Sequence, residues 1–316
     1  MSEDFNKTMS GTQPSSCLSN PTGEKVAKTL VYCLILLVSL AGNTVIGIIV
    51  YRTRTMRNPI NFFIVNMAMS DLLFPIFLFP LEIRMLYMDS GLITQSLCKM
   101  VIFLPVVSFA VSIQSLVLIA MDRFGAVVFP LRSPLITSKL CPFFILATWI
   151  IGMAFFSPYL FVLKVVEYNG RRICRLQWNE SFGESSSRDN YEATIMVVLC
   201  FIPFVMIATF YVMIYIKLKL QKIPGEHSVN AGQQRQQRER NVLKMTIAIV
   251  LGCAACWLPY SMGSFAFFFA SGIESCGFQY FFTVAFFMNR ANCAINPCIC
   301  LILSRNYREG LKTIFK

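Results

Sequence analysis

Apolar runs dominate this chain and are parted by short polar connectors. A helix needs about 20 predominantly apolar residues to cross a bilayer, and seven segments meet that need, at roughly 29–50, 60–87, 97–121, 141–163, 193–216, 242–270 and 278–303. Proline lies inside several of them, at Pro75, Pro80, Pro105, Pro158, Pro203, Pro259 and Pro297. It would break a helix in water, but packed membrane helices re-satisfy the freed backbone groups, and each proline is a candidate kink. No internal repeat is visible, which argues against a transporter built from inverted halves. After the last run, "SRNYREGLKTIFK" puts Tyr307, Leu311, Ile314 and Phe315 on one helical face, with Arg305, Arg308, Lys312 and Lys316 elsewhere. That is the pattern of an amphipathic helix lying on the inner leaflet. The prediction is an all-α membrane protein: an outer N-terminal segment over 1–28, a seven-helix transmembrane bundle over 29–303, and a short amphipathic helix and tail over 304–316.

Composition agrees. Of 316 residues, 56% are hydrophobic and 14% charged, with a mean hydropathy of +0.61; a soluble domain carries about 25% charged residues. The net charge of +12 would suit a nucleic-acid partner if it were clustered at random. It is instead segregated. The connectors after runs one, three, five and seven, with the tail, hold seventeen Lys and Arg against four acids, whereas the other side holds ten against eleven. Lys and Arg accumulate on the cytoplasmic side. The N-terminus is therefore expected outside and the C-terminus inside, and the charge calls for no nucleic acid. Residues 1–25 have no apolar core, so the first run rather than a cleavable signal peptide is expected to engage the membrane.

Outer features fit this topology. Asn6-Lys7-Thr8 and Asn179-Glu180-Ser181 match the N-glycosylation acceptor pattern. Cys98 and Cys174 both face the oxidising side, which permits a disulfide that would pin the loop after the fourth run over the bundle. Cys17 and Cys276 are the remaining outer cysteines, either bridged to each other or free. One histidine, His227, and no clustered nucleophile–base pair make an enzyme the weakest functional class.

The order of the polar landmarks resembles the rhodopsin-like (class A) G-protein-coupled receptors along almost the whole chain. The matching pieces are Gly42-Asn43 in the first run, "NMAMSD" from Asn66 to Asp71 in the second, Cys98 and then "MDRF" in the third, and Trp149 in the fourth. Pro203 and Tyr211 follow in the fifth, "CWLP" at 256–259 in the sixth and "NPCIC" at 296–300 in the seventh. The resemblance implies a switch at the inner end of the third helix. There Asp122 neutralises Arg123 at rest, and Glu239 in "RERN" holds the same arginine from the sixth helix. Loss of that hold frees the sixth helix to swing outward and admit a heterotrimeric G-protein, which Leu131 would also touch. Taken alone, Asp122–Arg123 reads as an interfacial pair that anchors its helix. A half-desolvated ion pair can nevertheless bias a two-state equilibrium.

Asp71 is an acid in mid-membrane, which is a functional hypothesis by default. Ser112, Asn292 and Asn296 stand where the family surrounds such an acid, and the resemblance implies a sodium ion there; the alternative is a neutral, hydrogen-bonded Asp with waters. Trp257 beside Pro259 matches the family's toggle below the ligand pocket, and Pro297 its hinge. Two departures stand out. Cys300 replaces the usual Tyr of the seventh-helix motif, and Cys253 replaces the aromatic one turn inward of Trp257. Tyr211 is kept but loses its usual partner.

An amine receptor carries an acid where this chain has Pro105. An opsin carries a lysine where it has Arg290, whose guanidinium cannot supply a neutral amine. Arg290 inside an apolar run needs a partner, and Glu82 is expected to face it. That pair either fixes helices two and seven or receives a ligand acid or carbonyl, with Tyr260 and Trp257 as further pocket candidates. "VEYNGRRICRLQW" alternates apolar and polar residues around Cys174 and predicts a short hairpin. Hairpin lids accompany peptide ligands in this family, and the sequence character is closest to its neuropeptide branch. The reading is a plasma-membrane receptor that binds an extracellular neuropeptide and activates a G-protein. Its rivals are a class A receptor for a lipid or small carboxylate, which Arg290 would suit, and a transporter using Asp71, Glu82 and Arg290.

Overall fold

The computed structural model describes residues 21–87, 94–129, 136–168, 171–183, 185–220, 229–269 and 275–314, with some side chains in these ranges, Asn179 and Glu239 among them, not described. Asn6, Cys17 and Leu131 lie outside the described residues. Helices α1 (Pro21–Arg52), α2 (Pro59–Tyr87), α3 (Gln95–Val128) and α4 (Cys141–Phe156) come first. Helix α5 joins Ser185–Met196 to Ile202–Leu220 through a π-helical turn at Val197–Phe201. Then come α6 (Val229–Phe269), α7 (Cys276–Leu303) and α8 (Arg305–Ile314). Between α4 and α5, strands β1 (Leu163–Tyr168) and β2 (Arg171–Leu176) form the expected antiparallel hairpin, with Val165 opposite Cys174.

Six of the helices are long and apolar enough to cross a membrane, and α4 is a shorter apolar helix. The predicted fourth run extended to 163, but Ser157 ends α4 and Pro158 cannot continue it. A four-residue turn of helix, Tyr159–Val162, leads instead into β1. Capping fixes two of the entries: Thr94 accepts from the Leu97 amide at 3.3 Å and Ser275 from the Phe278 amide at 3.3 Å.

Helix α3 is the axis of the bundle. Over half of its most apolar window is buried, 56%, against 22% for α5 and 28% for α6. The last two are thus held mainly on one side, and lipid covers the rest. The inner half of the core packs Ile49, Phe63, Met67, Leu116, Ile119, Ile249 and Tyr307 together. The first half of α1, the second half of α2 and the middle of α7 enclose a second cluster around Phe79 and Cys293.

Buried polar groups tie the helices where apolar packing alone would leave them free to slide. Pro297 has no amide hydrogen to offer the Cys293 carbonyl. That carbonyl accepts instead from Asn43 Nδ2 at 2.9 Å and Ser39 Oγ at 3.2 Å, stitching α1 to α7. Asn66 donates to Ser115 at 3.0 Å and Thr148 at 3.2 Å and accepts from the Trp149 indole at 2.9 Å, which fastens α2, α3 and α4. Helix α8 docks by burying Tyr307, whose hydroxyl lies 3.1 Å from Asn61 Oδ1, and by the close approach of Gly310 to Ile49.

Candidate functional site

The site is a column of polar groups running through the bundle, from a lid outside to an ion pair inside. The lid is the β1–β2 hairpin. The Cys98–Cys174 disulfide ties β2 to the outer end of α3. Gln95 on the same turn of α3 donates to the Leu163 carbonyl at 2.7 Å and accepts from the Val165 amide at 2.9 Å. A recess of about 460 Å³ lies between them, lined by Thr94, Gln95, Val165, Val166, Glu167 and Arg172. Cys276 at the start of α7 is also disulfide-bonded; its counterpart from the sequence, Cys17, lies outside the described residues.

Below the lid, Arg290 on α7 meets Glu82 on α2 at 2.7 Å, as their placement in the sequence required. Phe286 and Phe74 flank the guanidinium, with ring centroids 4.2 and 5.2 Å from it. Tyr32 stands beside Glu82 and packs on Phe79 and Phe287. Tyr260 packs against Phe282 and Phe286 and so borders the same region. Sequence reasoning named Glu82, Arg290 and Tyr260 but not Tyr32, Phe74 or Phe286. In an apolar run, nothing marks a particular aromatic as the one beside a cation.

Trp257 lies deeper, its ring tilted 31° to that of Phe109 with centroids 3.6 Å apart. A small cavity of about 10 Å³ opens beneath it, lined by Asp71, Ser108, Asn289, Asn292 and Cys293 among others. Asp71 accepts from Ser112 at 2.8 Å and from Asn296 Nδ2 at 2.7 Å. Asn292, the third expected neighbour, makes no hydrogen bond to Asp71 among the described residues; it reaches the acid only across the cavity. The carbonyl oxygens of Asn292 and Asn296 are buried without hydrogen-bond partners among the described residues. The cavity has room for about one water-sized particle, and its donor set of carboxylate, hydroxyl and amide oxygens suits a hard monovalent cation. Ser108 and Ser70 extend the ladder: Ser108 donates to the Ser70 carbonyl at 2.6 Å, and Ser70 and Ser112 hydroxyls lie 3.1 Å apart. Ser108 is one turn above Ser112, a spacing that could have flagged it.

At the inner end of α3, Arg123 donates to Asp122 at 2.7 Å, with both side chains largely out of solvent. Glu239 lies on α6, and its side chain, expected to hold Arg123, lies outside the described ones. Tyr211 on α5 is nearby, with its buried hydroxyl beside Thr246 on α6. Cys300, which stands in the seventh-helix position of the usual tyrosine, is fully buried.

The 7 transmembrane receptor (rhodopsin family) profile matches residues 42–299. The chain is 28% identical to a QRFP-like peptide receptor of Branchiostoma floridae, over 93% of this chain and 78% of that protein. It is 26% identical to the human substance-K receptor, over 97% and 77%, and 27% identical to the rat neuromedin-K receptor, over 96% and 68%. With a bundle of apolar helices, a disulfide-tied lid and the Asp122–Arg123 pair in place, the chain is a multi-pass membrane protein and belongs to the rhodopsin family of seven-transmembrane receptors.

Proposed function

We propose that this protein is a plasma-membrane receptor that binds an extracellular peptide and activates a heterotrimeric G-protein, with its N-terminus outside and its C-terminus in the cytoplasm. The observation that carries the reading is near-complete alignment with proteins named as peptide receptors, combined with an Asp122–Arg123 pair at the inner end of α3. A hairpin lid held by Cys98–Cys174 and Gln95 supports a pocket entered from outside. The charge segregation of the connectors supports the orientation. Helix α6 is little buried, and its release from α3 is the movement that would open a G-protein cavity. In this reading Glu239 supplies the second hold on Arg123, and Leu131 a contact with the G-protein.

Asp71, Ser112, Asn292 and Asn296 fit a sodium ion, which would supply positive charge to a carboxylate in a dry interior. The chain's own contribution is to hold the acid in place through Ser112 and Asn296 and to leave two amide oxygens free beside it. Asn6 and Asn179 are the proposed glycosylation positions.

The test is a peptide screen on cells expressing the chain, read by calcium and cyclic AMP, with peptide-dependent signal as the expected result. A silent screen combined with solute flux into vesicles carrying the purified protein would replace the receptor reading with a transporter.

A further inference from the structure

The pairing of β1 with β2 fixes which backbone groups of β1 are used and which are not. Leu163 faces Leu176 and Glu167 faces Arg172 in the antiparallel register. The Gln177 amide donates to the Val162 carbonyl at 2.7 Å, so Val162 and Gln177 form a hydrogen-bonded pair. Such pairs recur at every second residue of an antiparallel ladder. Lys164 and Val166 therefore turn their N–H and C=O groups toward β2, and Val165 and Glu167 turn theirs away from it. Gln95 confirms the parity. Its side-chain amide accepts from the Val165 N–H at 2.9 Å and donates to the Leu163 C=O at 2.7 Å, both on that outer edge.

One carboxamide thus occupies the first rung of the edge, as the peptide group of a neighbouring strand would. The next groups along it, the Val165 C=O and the N–H and C=O of Glu167, have no hydrogen-bond partner among the described residues. The recess of about 460 Å³ opens beside them, since Gln95, Val165, Val166 and Glu167 line it together with Thr94 and Arg172. Glu167 and Arg172 are both exposed and sit opposite each other across the ladder. The recess is therefore bordered by one charge of each sign and favours neither an acid nor a base. What the edge does select is a row of alternating N–H and C=O groups, and an extended backbone supplies that row whatever its side chains.

We propose that the outer edge of β1, from Val165 to Glu167, is a docking site for an extended stretch of the extracellular peptide, which adds a third strand to the hairpin. A peptide carbonyl accepts from the Glu167 N–H, and peptide N–H groups donate to the Val165 and Glu167 carbonyls, in line with the Gln95 carboxamide. The inference rests on the peptide-receptor reading above and adds to it a contact made with backbone, in a recess that neither Glu82 nor Arg290 lines. The Cys98–Cys174 disulfide and Gln95 fix the hairpin to α3 before any peptide arrives, so little ordering accompanies docking.

The test uses the purified full-length protein and the peptide N-acetyl-Thr-Val-Thr-Val-Thr-amide, titrated by ligand-observed NMR beside the same peptide N-methylated at every residue. The edge predicts binding of the first and none of the second, which keeps the side chains but lacks the backbone donors. Glu167→Pro removes the outward N–H and spares every rung between β1 and β2, a placement that an edge strand tolerates. Affinity for the unmodified peptide should fall about tenfold. Glu167→Thr keeps the N–H and removes only the charge, and affinity should stay within about twofold of the wild type. The methylated peptide tests the edge on the wild type and so does not depend on either variant folding. No binding of the unmodified peptide, equal binding of the methylated one, undiminished binding by Glu167→Pro, or an equal loss in Glu167→Thr overturns the proposal. A chain that binds the unmodified peptide at this edge but stays silent in the cell screen keeps the strand-docking edge and loses the receptor reading. One that signals to a peptide in the screen but fails these titrations loses the docking site alone.

Discussion

Tyr307 and Asn61 form the innermost polar contact between α8 and α2, and every donor in it has a stated use. Asn61 Nδ2 donates to the Met56 carbonyl at 2.7 Å, leaving Oδ1 to the Tyr307 hydroxyl. Tyr307→Phe removes only that hydroxyl and leaves a buried oxygen unpaired, at a cost of about 1 kcal/mol. We expect a lower thermal midpoint for the purified protein. Combined with Asn61→Leu it should fall by less than the sum of the two single changes, since both remove one bond; additive shifts would show that the contact contributes nothing. Burial pushes the Tyr307 phenol well above its ordinary value. Its contribution is therefore complete below the ordinary tyrosine pKa of about 10 and is lost as pH climbs toward the folded-state value. A midpoint measured against pH should fall more steeply above about pH 10 in the wild type than in Tyr307→Phe. At this scale the sequence marked Asp71, Glu82 and Arg290, because a charged group in an apolar run must find a partner, while Ser112 and Asn296 were marked only by the family resemblance. It did not mark Tyr307–Asn61, because an aromatic on an amphipathic face looks like any other apolar anchor. Nor did it separate Asn296, which bonds Asp71, from Asn292, one turn away, which makes no such bond among the described residues.

Helices α1 and α7 cross so closely that side-chain size decides the fit. A Cβ on Gly42 would come within 2.7 Å of two ring carbons of Pro297, and a proline ring cannot turn aside. Gly47, on the same helix, would meet nothing within 4 Å. Gly42→Ala should destabilise by about 1–3 kcal/mol through overpacking, whereas Gly47→Ala should be neutral or stabilising by up to about 1 kcal/mol through helix propensity. Thermal midpoints of the two variants, in the same detergent, make the comparison; equal shifts would mean that α1 does not pack on α7 at Gly42. Cys98→Ser frees the lid from α3 and leaves Gln95 as its tie. Peptide affinity should fall several-fold while the inner-face switch is intact. Helix number, order and the hairpin were legible because apolar length and alternation are local signals. The early end of α4 was not, because residues 157–163 are apolar enough to continue a helix and only Pro158 and the pairing of β1 with β2 stop it.

The molecule as a whole is a bundle in which a central, buried α3 carries Arg123, while the apolar stretch of α6 is little buried. In the receptor reading, that asymmetry lets α6 move against α3 at the inner-face ion pair. Glu239→Gln should raise basal nucleotide exchange if Glu239 restrains Arg123, read in membranes with no peptide added. An unchanged basal rate would leave Asp122 as the restraint. The family was legible in the ordered landmarks from Gly42 to Cys300, since each marks a buried polar group or kink with a fixed place in the bundle. The ligand was not, because apolar runs conceal which side chains face the pocket. The most direct measurement is peptide-driven nucleotide exchange on purified G-protein by membranes carrying the wild type or Arg123→Ala, with peptide binding measured on the same membranes. The account predicts exchange in the wild type, none above background in Arg123→Ala, and binding retained in both. Exchange that survives Arg123→Ala undiminished would contradict it.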